Sequence, residues 1–175
     1  MKDKLERTPF DETAFHDKVH EHYLGYQGEL QKNTDEKLEL FIQVNYFHSC
    51  LDDAMEFLLK TDQARGLKPH QIIRILYEKG ILEESDAINA NKINKIRNLF
   101  AHDYDSPHMM RNAAEIINKI KIDVPVVDII PSLATASNVE LMKEQMSKWD
   151  MYQRLDFIIH SLVSDMENKV LFMTY

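Results

Sequence analysis

The sequence predicts an all-α fold, a single-domain bundle of about five to six helices, and three observations carry that prediction. Apolar residues recur at spacings of three and four along most of the 175 residues; there are only four glycines and five prolines; 44% of residues are hydrophobic and 29% charged. The length suits one substantial core and is short for two, so residues 1–175 read as one domain. Its core is expected over about 35–122, with an N-terminal helix at 11–32 and a C-terminal helix at 138–170 packed on it.

In the first helix Phe15, Val19, Tyr23, Tyr26 and Leu30 lie near helical spacing, and Gly25 and Gly28 weaken the pattern without breaking it. Thr34 is placed to cap the second helix. Its apolar stripe, Leu38, Phe41, Ile42, Tyr46, Leu51, Ala54, Phe57 and Leu58, is the broadest in the chain. Pro69 suits the first turn of a short third helix carrying Ile72, Ile73, Ile75 and Leu76, and Gly80 ends it. A fourth helix begins near Ser85, presents Ile93, Ile96, Leu99 and Phe100, and ends in "DYDSP".

Ser106 with Pro107 starts a fifth helix through Met110, Ala114, Ile116, Ile117 and Ile120. "KIDVPVVDIIPS" then changes the period. Two prolines and the lack of a partner strand favour an extended connector over a strand. A last helical region opens at Asn138 and runs to about Val170, with Trp149, Tyr152, Leu155, Ile158, Ile159, Leu162 and Met166 on one face.

A net charge of -8 argues against a chain that coats nucleic acid non-specifically, because phosphate binding rests on clustered Lys and Arg. The average hides a local reversal. Between Asn91 and Ile122 six bases meet three acids, so that segment is +3 and the remainder -11. The single Cys50 excludes an intrachain disulfide and a multi-thiolate zinc site and fits a reducing compartment. An acidic N-terminus and the absence of any apolar run near the ~18 residues of a membrane span predict a cytoplasmic protein without membrane contact.

The electropositive segment contains "NKIRNLFAHDYDSP". At about 100° per residue, Ile93, Ile96, Leu99 and Phe100 fill one sector of the fourth helix, and Arg97, Ala101, Asn98 and His102 occupy, in that angular order, an adjoining sector about 140° wide. Asn98 and His102 are i,i+4 neighbours, so the amide is placed to hold one imidazole tautomer. Only the small Ala101 separates them from Arg97.

Such a group suits phosphoryl transfer without a metal or other cofactor. An imidazole exchanges the proton of a ribose 2′-hydroxyl or of the leaving oxygen, typically worth ~10²–10⁴ in rate. A guanidinium binds two phosphate oxygens and stabilises charge developing on phosphorus. Lys92, Lys95 and Arg111 are the remaining candidates for RNA contact. Because the reaction needs both an acid and a base, one His per site is too few, and a homodimer bringing two motifs to one cleft meets the need.

These residues carry a resemblance. "RNLFAH" resembles the RNxxxH form of the Rx4-6H motif of the HEPN superfamily, and Tyr104 extends it to the RX4HXY pattern of HepT-like toxins. The resemblance implies an all-helical ribonuclease in which Arg97 and His102 are catalytic and Asn98 supports them. It implies further that Tyr104 is the position a nucleotidyltransferase antitoxin modifies, whereas the residue's own place at the helix end favours a structural, capping tyrosine. A second resemblance competes. "IIRILYEKGIL", "INKIRNLFAHD", the Pro-flanked connector and a long final helix are similar in layout to the mannitol-operon repressor family, which implies a non-enzymatic regulator acting through protein contacts.

Other clusters have plainer readings. His16 and His20 stand at the i,i+4 spacing of a helical metal pair but lack the Glu of HExxH and a third ligand, so a solvated face is expected and no metal. His48, Ser49 and Cys50 are adjacent on a helix and point apart, which disfavours a Cys/His nucleophile. Met109, Met110, Met142 and Met146 read as packing residues, and no glycine-rich phosphate loop is present.

Overall fold

The stripe on the second helix organises the molecule. A computed structural model describes residues 12–32, 35–59, 66–121, 144 and 148–172. The described elements are α1 (Glu12–Lys32), α2 (Glu36–Leu59), α3 (Pro69–Glu78), α4 (Glu84–Asp103), α5 (Met109–Asn118) and α6 (Met151–Phe172), with no strand among the described residues. Leu40, Val44, Phe47, Leu51, Ala54 and Met55 of α2 are fully buried. They point to several sides of the helix, which is why α2 touches α1, α3, α4 and α6 at once. Buried residues of all six helices join in one apolar cluster around it.

Local chemistry accounts for several boundaries. Pro69 opens α3, where the Lys68 amide donates to Gln71 Oε1 at 2.8 Å, and Gly80, at φ 74°, turns the chain out of it. Leu76, whose carbonyl accepts from the Ile81 amide at 2.9 Å, closes that turn.

Three expectations shift. The cap of α2 is Asp35, whose Oδ1 accepts from the Leu38 amide at 3.0 Å; Thr34 lies outside the described residues. The Ser106–Pro107 start is a turn, and α5 begins at Met109. The segment read as a connector lies outside the described residues from residue 122 onward. The last helix does not run unbroken from Asn138: Lys148–Asp150 are non-helical and α6 starts at Met151. A capping box explains the break, since the Gln153 amide donates to Asp150 Oδ1 at 2.8 Å and the Asp150 amide to Gln153 Oε1 at 3.2 Å. Trp149 therefore sits before the helix, 5.2 Å from the Phe157 ring. Asp150→Ala is expected to lower unfolding stability by about 1 kcal/mol in urea titration, with Asp150→Ser retaining most of it. An equal loss in both variants would assign the effect to something other than the cap.

Apolar packing and imidazole–carboxylate pairs join α1 to the core. His22 Nε2 lies 2.7 Å from Asp53 Oδ2 and His16 Nδ1 3.2 Å from Glu167 Oε1. The Tyr26 hydroxyl donates to Asp156, and its ring stacks on Tyr46 at 4.9 Å. Among the described residues, no helix is long and apolar enough to cross a membrane.

Candidate functional site

One face of α4 is anchored by Ile93, Ile96 and Phe100, packed against α2, α3 and α5. That anchorage leaves Arg97, Asn98, Ala101 and His102 exposed on its final turns. The polar sector of the motif is therefore open at the surface of the chain and not sealed inside it. Arg97 and His102 are five residues apart, about 140° around the helix and ~7.5 Å along it. Lys95, Asn98 and His102, at i, i+3 and i+7, form one exposed stripe; Arg97, Ala101 and Tyr104, at i, i+4 and i+7, lie along another. Among the described residues no hydrogen bond joins the Asn98 amide to the His102 ring.

The second wall comes from α2. His48 is buried, with 8% of its surface exposed, and its Nε2 lacks a hydrogen-bond partner. Burial first, and then the positive charge of Arg97, hold its pKa down at about 4, so the ring is neutral at pH 7. Asp52, one turn further along α2, is pushed up by burial and by Asp53, and the same Arg97 charge opposes the shift. Arg97 thus acts on both residues across the α2–α4 contact. Asn94, one turn before Arg97, is also buried with an unpartnered Oδ1.

The other candidate residues separate. Lys95 and Arg111 are exposed. The Lys92 ammonium donates to the Lys119 carbonyl, where it caps the C-terminal end of α5. Tyr104 ends α4 and is 48% exposed; Lys37 Nζ donates to its carbonyl at 2.9 Å and lies 5.0 Å from the ring centroid. The Tyr104 ring leans on Phe100, 6.2 Å away, which in turn meets Phe41 at 5.1 Å.

Elsewhere, Cys50 is a free, buried thiol that burial pushes up to about 12, so it keeps its proton and is no nucleophile. His16 and His20 have parallel rings 6.5 Å apart and border a cavity of about 290 Å³ with Tyr23, Tyr46, His160 and Glu167. That cavity belongs to α1, α2 and α6, whereas the motif lies on α4. Among the described residues no group of three or more His, Cys, Asp or Glu is arranged to hold a metal ion.

Sequence reasoning did not find Lys37 or Asp52, and it weighed His48 only as a partner for Cys50. A trace of His48 was visible: Gln43 and His48 interrupt a helix otherwise apolar on several sides, and buried polar residues at such positions need a reason. The family model described as "Ribonuclease HepT-like" matches residues 28–130, which include all of α2 to α5. No curated protein and no solved structure matches the chain.

Proposed function

The chain belongs to the ribonuclease HepT-like family, a HEPN-type family, and from that membership we propose that it is a metal-independent endoribonuclease of a toxin or defence system. The observation that carries the reading is the open placement of Arg97 and His102 on the last turns of α4, beside a neutral His48. His102 acts as general base toward a ribose 2′-hydroxyl. The freed oxygen attacks the adjacent phosphorus, the bond from phosphorus to the 5′-oxygen breaks, and the leaving oxygen takes a proton from a second imidazole. Arg97 binds the non-bridging oxygens and stabilises the charge they gain. The products are a 2′,3′-cyclic phosphate and a free 5′-hydroxyl.

The second imidazole is His102 of another copy. Around one helix Arg97 and His102 diverge by about 140°, so a two-fold dimer is the simplest way to aim both kinds of group at one phosphate. Asn98 stands one turn from His102 on the same exposed stripe, and Lys95 and Arg111 meet flanking phosphates. In a toxin module the partner would be an antitoxin protein, with Tyr104 as the residue it modifies. The test is incubation of single-stranded RNA with purified protein in excess EDTA, followed by end-group analysis. Cyclic phosphate termini are the expected result; intact RNA under all conditions would overturn the reading and favour a non-enzymatic regulator.

A further inference from the structure

Of the large apolar side chains left exposed among the described residues, Phe41 at 38% and Tyr104 at 48% meet on a shared neighbour, Phe100. Phe100 is itself only 8% exposed, so both outer rings rest on a fixed backing. Lys37, one turn before Phe41 on α2, ties the Tyr104 carbonyl and stands over its ring. Two helices thus hold one small cluster of aromatic rings with a cation standing over its Tyr104 member. It lies seven residues, ~10 Å along the helix, from Arg97 on the same stripe of α4.

We propose that Phe41 and Tyr104, with Lys37, form the platform on which an unpaired base of single-stranded RNA stacks, next to the phosphate held by Arg97. The inference rests on the ribonuclease reading and adds to it a subsite that the motif does not contain. Unpaired bases are bound by aromatic faces, and a cation at the rim takes the neighbouring phosphate. Among the described residues Lys37 contacts the carbonyl and ring of Tyr104 and no carboxylate, so its charge remains to be matched by a ligand. An RNA phosphate matches it.

The experiment measures affinity of the full chain for a fluorescent single-stranded RNA made uncleavable by 2′-O-methyl groups, with circular dichroism and sedimentation velocity as controls. Phe41→Ala and Tyr104→Ala are each expected to weaken binding about tenfold, and Phe41→Tyr and Tyr104→Phe to preserve it. Replacing single bases by abasic sites should weaken wild-type binding at one position and leave the alanine variants unaffected there. If wild-type protein binds the RNA and the folded alanine variants bind it equally well, the platform is refuted while the ribonuclease reading stands. If those variants instead dissociate a dimer with RNA affinity unchanged, the patch is an interface between copies and the platform is again refuted. Absence of RNA binding and of RNA cleavage by wild-type protein would remove both.

Discussion

Arg97→Ala and His102→Ala each lower metal-independent RNA cleavage by about 10³-fold, and an equal mixture of His102→Ala with wild type loses more activity than dilution alone removes. The magnitude follows from the chemistry: an acid–base group is worth ~10²–10⁴ and a charge-stabilising donor ~10²–10³. The loss in the mixture follows from the need for two imidazoles, one from each copy. After subunit exchange roughly half of the dimers are mixed and hold a single intact His102, so about a quarter of the wild-type activity is expected and not the half that dilution leaves. Activity that stays at about half, with exchange confirmed by mass, would place acid and base in the same copy. The double variant should be little worse than either single one, because residues that act as a unit do not lose their effects additively.

The fold was legible where one helix buries one face. Ile72, Ile73 and Leu76 of α3, Ile93, Ile96 and Phe100 of α4, and Leu155, Ile159 and Leu162 of α6 lie where periodicity puts them. Periodicity failed at a helix start, because apolar spacing continues through Trp149 while the backbone does not; the Asp150 to Gln153 pattern was the sharper signal. It failed also at Phe41, which fits the stripe of α2 yet stays partly open beside Tyr104. The motif on α4 was legible because its members are local in sequence. Its surroundings were not, since Lys37 and His48 reach α4 only through packing between helices far apart in the chain. Lys92 shows the converse limit: its charge was visible, but its use as a cap on α5 depends on where Lys119 lies.

His48 makes the protein acid-labile, and replacing it by Leu removes that liability. The ring has a pKa of about 4 in the fold against 6.5 for an ordinary histidine, held down by burial and then by Arg97. Between those values the unfolded chain binds the proton and the folded chain does not, so stability falls as pH drops from about 6.5 to about 4. At 1.36 kcal/mol per unit, the loss approaches about 3 kcal/mol at the acid end and is absent at pH 7. Raised carboxylates work the other way. Asp52, Asp53 and Glu167, each lifted by burial, retain protons in the folded state more readily than in the unfolded one, and so gain stability as pH falls through their own range. The readout is therefore the difference between wild type and His48→Leu in urea unfolding at pH 7, 6 and 5, which cancels the carboxylates they share. That difference should shift in favour of the variant as the pH falls; a pH-independent difference would mean that His48 is not held neutral by its surroundings. Arg97→Ala supplies the complementary arm. With the second cause removed and burial left in place, the His48 ring should titrate at higher pH in an NMR experiment. An unchanged titration would separate His48 from Arg97 and leave the α2 wall without a part in the site.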